Sequence, residues 1–249
     1  MIDIRRDGPV AVLTIDRHER RNSVDADVCR AIREAVESVA ALAEDETDPV
    51  RAIVLTGAGT AFCAGADLSG GVYESRFYEE LSGMLRAIED AVVPVVAAVN
   101  GPAIGAGVQL ALACDLRVVA EHAVFAVPVV KVGLALDTWT IRRLVNVVGG
   151  GHARTVLMTA RPIGAEQAAT IGLANEIGDL GATVELAHEL AGFAPLSLQH
   201  IKVVINDDDA RHLPSERHDE LQLRAWQSED MVEARTARAE KRAPRFRGR

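Results

Sequence analysis

The sequence predicts an α/β fold: a core of repeated strand, turn and helix units, followed by a helical C-terminal extension. Three observations carry this prediction. Apolar runs at 52–56 and 95–99 each lead into a glycine-studded turn and then into a helical period. Alternation of this kind implies parallel strands joined by crossover connections. After Gly133 strands become scarce and helical stretches succeed one another. The 249 residues, 49% of them hydrophobic, suffice for one sizeable core. No Gly-, Pro- or Ser-rich linker divides the chain, so residues 1–190 read as the core and 191–249 as its helical extension.

Each element has its own warrant. Residues 2–6 and 10–15 flank Asp7-Gly8-Pro9 and read as a hairpin. Asn22, Ser23 and Asp25 precede an amphipathic helix reaching about Ala43, with Val28, Ile32, Ala35, Val36, Val39 and Leu42 spaced by three and four. Glu44 to Pro49 is an acidic loop. The strand at 52–56 leads to a helix over 78–90, and the strand at 95–99 to a helix over 106–113. Residues 116–120 form a strand directly after Cys114-Asp115, and 124–127 a shorter one. Helical stretches follow at 139–148, 152–159, 165–170, 182–193, 195–206 and 215–240. Around the last of these, Leu213, Leu221, Ala225 and Met231 supply apolar faces to bury.

Composition excludes several classes of partner. With 27 basic and 36 acidic residues, the net charge of −9 argues against nucleic acid or an anionic membrane as the main partner. The exception is the tail, where Lys241, Arg242, Arg245, Arg247 and Arg249 cluster; by composition alone this is a solvated charge run. Cys29, Cys63 and Cys114 have neither disulfide-framework nor C-x-x-C spacing, which fits a reducing cytoplasm. The N-terminus has no signal-peptide pattern, and no apolar run approaches ~18 residues, so neither secretion nor a membrane span is expected. His122, His152, His188, His200, His212 and His218 are dispersed, and no metal constellation is expected.

Two turns carry the chemistry. The first, TGAGTAFCAGADLS at 56–69, and the second, NGPAIGAG at 100–107, use small residues that let a ligand approach main-chain N–H groups. The second opens a helix, whose first amides are unpaired and whose dipole is positive there. Donors from both turns can converge on one anion or developing oxyanion. Neither is a P-loop or a dinucleotide fingerprint, and singly each could be a plain strand-to-helix connection. One polar side chain, Gln109, occupies the first turn of the apolar helix that follows.

AFCAGADL and VNGPAIGAGVQLALACDLRV, with ERRNSV at 19–24, FAVPVVKVGLALD at 125–137 and EKRAPRF at 240–246, resemble the enoyl-CoA hydratase/isomerase, or crotonase, superfamily along nearly the whole chain. The resemblance implies a crotonase-like spiral of ββα units whose C-terminal region serves oligomerisation and CoA capping. It implies an oxyanion hole from the backbone N–H groups of Ala66 and Ala106, gripping a thioester carbonyl as it becomes an enolate. Arg21, Asn22, Ser23, Val24, Ala64, Gly65, Asp67 and Leu68 fall where such proteins hold the adenine side of CoA. Gly105, Val129, Leu136 and Trp139 are further expected substrate-binding positions. Lys241 and Phe246 match the segment that reaches the CoA phosphate end, often from a neighbouring subunit. Acyl-CoA or enoyl-CoA is the implied ligand, CoA being part of the thioester and no cofactor being permanently bound. A homotrimer or hexamer is the implied assembly.

The sequence departs from the hydratase pattern at both glutamates, whose places are taken by Gln109 and Val129. A positioned acid or base contributes ~10²–10⁴ in rate, so losing both predicts little hydration. Asp137 falls where certain isomerases of the family carry an aspartate, yet it also directly precedes a helix and suits an N-cap. Val127, Val129, Val130, Leu134, Leu136 and Trp139 read either as a greasy acyl-chain pocket or as ordinary core. Three readings follow: an acyl-CoA-binding protein without hydratase turnover, an isomerase resting on Asp137, and an ordinary enoyl-CoA hydratase.

Overall fold

A computed structural model of the chain describes residues 1–68, 75–207 and 216–247. Ser69, His212, Leu213 and Arg249 lie outside the described residues. In chain order the elements are β1 (Ile2–Asp7), β2 (Val10–Ile15), α1 (Ala26–Ala41), β3 (Ala52–Gly57), α2 (Ser75–Asp90), β4 (Val95–Val99), β5 (Ala103–Ile104), α3 (Ala106–Ala113), β6 (Leu116–Val119) and β7 (Val124–Ala126). There follow α4 (Thr138–Thr159), β8 (Ile163–Gly164), α5 (Ala165–Thr170), β9 (Glu176–Ile177), α6 (Leu180–Ala191), α7 (Pro195–Asn206), α8 (Glu216–Trp226) and α9 (Glu229–Ala239). The fold is the predicted mixture of a largely parallel sheet and a helical C-terminal part.

By their contacts the residues divide into two compact units, Met1–Phe125 with Ile163–Asn206, and Ala126–Pro162 with Asp207–Arg249. The first unit holds a sheet in the order β1-β2-β3-β4-β6-β9. Within this sheet the β1–β2 hairpin is antiparallel and every other pairing is parallel. All residues of β3 and β4 are buried, as expected for central parallel strands covered on both faces. One face packs Val10, Val12, Ala52, Val54 and Ala98 against Ala187 of α6. Asp25 caps α1 by accepting from the Val28 amide at 3.0 Å, and Val28, Ile32, Ala35, Val36 and Val39 are buried. Leu42, expected on that stripe, lies beyond the helix and is 41% exposed.

Helix α7 is fastened to this unit by a buried lysine. Lys202 Nζ donates to the carbonyls of Ile88 (2.9 Å) and Val93 (3.1 Å) and to Asp115 Oδ2 (2.8 Å). The same carboxylate oxygen accepts from the amide of Val95 at 2.7 Å, tying α7 to the start of β4.

In the second unit the stretches read as 139–148 and 152–159 are one element, α4, interrupted at Gly149, whose φ of 74° is open to glycine at little cost. The stretch read as 215–240 is two helices. Ser228 separates them and accepts from the Met231 amide at 3.2 Å as the N-cap of α9. Gly133, at φ +67°, packs against the backbone of Asp230 and Met231 in α9. Among the described residues no helix is long and apolar enough to cross a membrane.

Candidate active site

The two glycine turns interlock backbone to backbone. Cys63 N donates to Pro102 O (3.1 Å) and Cys63 O accepts from Ile104 N (2.9 Å), forming a parallel bridge between Cys63 and Ala103. The glycines permit this approach. A methyl group on Gly101 would overlap the carbonyl oxygen of Thr60, and one on Gly107 that of Cys63. Gly65, at φ +98°, sits so close to the second turn that a Cβ there would lie 2.7 Å from Ile104 O and 3.8 Å from the amide nitrogen of Ala106. Residues 65–66 of one turn and 106 of the other are therefore neighbours.

The segment 21–24 scaffolds the far side of the first turn. Ala64 N donates to Arg21 O (3.0 Å), Val24 N to Gly65 O (2.9 Å), and Asp67 N to Val24 O (2.7 Å). Ala66 lies between these bonds, and its own N–H donates to no other described residue. Ala106 opens α3, where the first amides have no intrahelical acceptor, and its N–H likewise meets no protein acceptor among the described residues. Two amides without a protein acceptor among the described residues, those of Ala66 and Ala106, thus lie on adjoining turns, the second at a helix start where the dipole is positive.

The other residues singled out in this region fall into two groups. Arg21 is exposed, and Ser23, Ala64, Leu68 and Gly105 are half-buried, so all five can be reached from outside. Asn22 and Val24 are buried, at 0% and 1% exposure. The carboxylate of Asp67 is held by Arg20 (2.7 Å) and Arg17 (3.2 Å), and Arg17 also pairs with Asp25 at 2.8 Å. Asp67 thus serves the local ion-pair network. Gln109 is buried within α3, all eight residues of which are buried.

In the second unit, Asp137 is the N-cap of α4. One oxygen accepts from Thr140 N at 2.9 Å and the other from Thr140 Oγ1 at 2.6 Å. Trp139 is buried. Val129, Leu134, Leu136, Ile141, Leu157 and Leu221 line an apolar cavity of about 620 Å³, so Val129 and Leu136 border space and are not packed solid. Lys241 is exposed and Phe246 is 42% exposed. The intervening tail folds back on α9. Glu233 accepts a forked pair from Arg242 (2.5 and 2.9 Å) and the amide of Arg245 (2.8 Å), while Asp230 accepts the amide of Arg247 at 2.6 Å. Arg242 is therefore committed to Glu233 and Glu240, which removes it from the charge run as a free cation.

Burial pushes the thiols of Cys63 and Cys114 up to about 12, and that of Cys29 further, which suits inert core residues. No group of three or more His, Cys, Asp or Glu able to hold a metal ion occurs among the described residues. The sequence places Asn22 at the CoA and gives Asn100 no role; the structure instead has both side chains supporting the first turn, with Asn22 fully buried. Their only sequence signal was an asparagine beside each glycine-rich or left-handed segment.

Residues 5–249 match the family described as Enoyl-CoA hydratase/isomerase. A relative named "Probable enoyl-CoA hydratase echA6" from Mycobacterium leprae (strain TN) is 46% identical over 248 residues, covering 100% of both chains. The solved enoyl-CoA hydratase/isomerase of Pseudoalteromonas atlantica T6c superposes with a TM-score of 0.85 at 28% identity, over 99% of each chain. A methylmalonyl-CoA decarboxylase in complex with 2-nitronate-propionyl-CoA gives 0.89 at 22% identity, over 100% of this chain and 98% of that one, a likeness of fold.

Proposed function

Because this chain belongs to the enoyl-CoA hydratase/isomerase family, we propose that it binds fatty acyl-CoA thioesters in fatty-acid metabolism, with little or no hydratase turnover. The observation that carries this reading is the pair of neighbouring, unbonded amides of Ala66 and Ala106, backed by a helix whose polar side chain is Gln109. The amides would hold the thioester oxygen. An amide side chain can orient a ligand but has no usable pKa for activating water, and Val129, at the place of the second glutamate, can neither donate nor accept a proton. Arg21, Ser23, Ala64 and Leu68 would line the path of the CoA moiety. CoA enters as part of the ligand, with no cofactor permanently bound.

Two further features support the reading. The cavity lined by Val129 and Leu136 is largely apolar, with Arg142 and Arg154 also on its wall, and offers space of the kind a hydrocarbon chain fills. Helix α7 exposes Leu196, Ile201, Val203, Val204 and Ile205, which suits a homotrimer or hexamer. The alternative, an isomerase using Asp137 as its single acid and base, is supported by the family position of that residue. The capping bonds to Thr140 favour a structural role instead.

The test offers the protein saturated, 2-unsaturated and 3-unsaturated acyl-CoA, with binding followed by calorimetry and turnover by the absorbance of the conjugated thioester. Tight binding of all three without product is expected, together with some gain of hydration in a Gln109→Glu, Val129→Glu double variant. Rapid hydration by the unaltered chain refutes the binding role. Double-bond migration abolished by Asp137→Asn establishes the isomerase.

A further inference from the structure

Asn22 is fully enclosed, at 0% exposure, and its backbone lies in the left-handed region at φ 56°, directly after Arg21 at φ 53°. Consecutive non-glycine residues of that conformation persist only where the surroundings hold them. The carboxamide is fully occupied. Nδ2 donates to Ala58 O (2.8 Å) and Ala61 O (2.7 Å), and Oδ1 accepts from the Arg17 amide at 3.0 Å. Asn100 completes the arrangement from the second turn, donating to Gly57 O (2.8 Å) and Gly59 O (3.0 Å). Carbonyls 57, 58, 59 and 61, at the end of β3 and in the irregular stretch that follows it, are thus all held by two asparagines from elsewhere in the chain. The residues on either side of Asn22 hold the rest of the turn, through Arg21 O to Ala64 N and through the Val24 bonds to Gly65 and Asp67.

We infer that Asn22 is a positioning residue for the Ala66 amide: its carboxamide and its left-handed backbone together set the direction in which that N–H points at a bound thioester oxygen. The inference rests on the acyl-CoA reading given above. Asn22 itself touches no ligand, because every polar atom of its side chain is taken by the protein and none is exposed. It acts through residues 58–66. Its two effects can be separated by substitution. Glycine accepts the φ of 56° without strain but leaves Ala58 O and Ala61 O unheld, whereas serine reaches with one donor where asparagine uses two.

The experiment measures the infrared stretch of a thioester carbonyl labelled with carbon-13 in a saturated acyl-CoA, free and bound. The wild-type protein is expected to move the stretch to lower wavenumber, as a hydrogen-bonded carbonyl does. Asn22→Gly is expected to lose most of that displacement and to bind acyl-CoA about tenfold more weakly, the equivalent of one hydrogen bond, while affinity for free CoA stays within about threefold. Asn22→Ser should lie between, and it carries the test if the glycine variant does not fold. Lys202→Met, which loosens α7 and touches neither turn, should keep the full displacement, separating positioning from general destabilisation. A wild-type displacement retained in both Asn22 variants overturns the assignment of Asn22 and leaves the oxyanion reading standing. The absence of any displacement in the wild-type protein overturns both.

Discussion

The same substitution, glycine to alanine, should have opposite signs at two helical positions. In α4, Gly151 is exposed and a Cβ there meets nothing within 4 Å. Gly151→Ala therefore gains helix propensity alone and stabilises by about 0.5–1 kcal/mol. In α3, a methyl on Gly107 overlaps the carbonyl oxygen of Cys63 and lies 3.0 Å from its carbon and 3.1 Å from its Cβ. Carbon contacts sit at about 3.5–4.0 Å, so the turns must part by on the order of 1 Å. The obstacle is backbone, which places the overpacking cost near the upper end of ~1–3 kcal/mol. The carbonyl being displaced is also the acceptor of Ile104 N at 2.9 Å, a bond worth about 1 kcal/mol. Against these, the propensity gain returns about 1 kcal/mol, leaving a net loss of about 2–3 kcal/mol. With a urea slope of ~1–3 kcal/mol per molar, the midpoint should fall by about 1 M. Because the parting occurs between residues 63–66 and 104–107, acyl-CoA affinity should drop as well. Urea titrations followed by circular dichroism, with calorimetry for the ligand, read both effects. A Gly107→Ala protein as stable as wild type, beside a stabilised Gly151→Ala, would refute the interlocked-turn geometry.

Two further outcomes follow from the charges. Lys202→Met removes the cation paired with Asp115, which keeps the Val95 amide, and leaves the carbonyls of Ile88 and Val93 unheld; breaking this partly buried pair should cost about 3 kcal/mol, and an unchanged urea midpoint would count against that anchor. In the tail, hydrogen bonds from the Arg242 guanidinium and then the Arg245 amide hold the Glu233 carboxyl at about 2, below its ordinary 4.5. A carboxyl depressed in the folded state contributes fully above the ordinary value and loses its contribution as pH falls toward 2. Carbon-13 titration of Glu233 should therefore have its midpoint near 2, with amide exchange at Arg245 accelerating over the same range. A midpoint near 4.5 would mean that the tail is not docked on α9.

Much of the fold is legible because it rests on local rules. Strands β3 and β4 are apolar runs that central parallel strands require, and α1 follows period and capping. What escapes is short or set by tertiary contact. The strands β5, β8 and β9 have two residues each, too few to display a period. The break at Ser228 occurs inside a continuous helical pattern, and only the cap bond to Met231 reveals it. Asp137 illustrates an ambiguity that sequence states but cannot weigh: an aspartate before a helix suits both capping and catalysis, and the bonds to Thr140 show the cap in place.

The candidate site divides along the same line. Small residues announce a backbone approach, so the two turns stand out as a place where main-chain amides can meet a ligand. Small residues also explain why the turns cannot hold themselves, since a glycine-rich segment has few side chains with which to satisfy its own carbonyls and loses much entropy on ordering. The holding groups must then come from elsewhere in the chain. Here they come from Asn22, some 36 residues before the carbonyl of Ala58, and from Asn100, at a separation of 43 residues from Gly57. Such partners carry no local signature. A resemblance that matches 21–24 to a ligand-binding segment therefore does not separate an exposed residue, such as Arg21, from one that faces the turn, such as Asn22 at 0% exposure. The backbone bonds of Arg21 and Val24 to residues 64–67 make the segment a support of the first turn, whatever its exposed side chains meet.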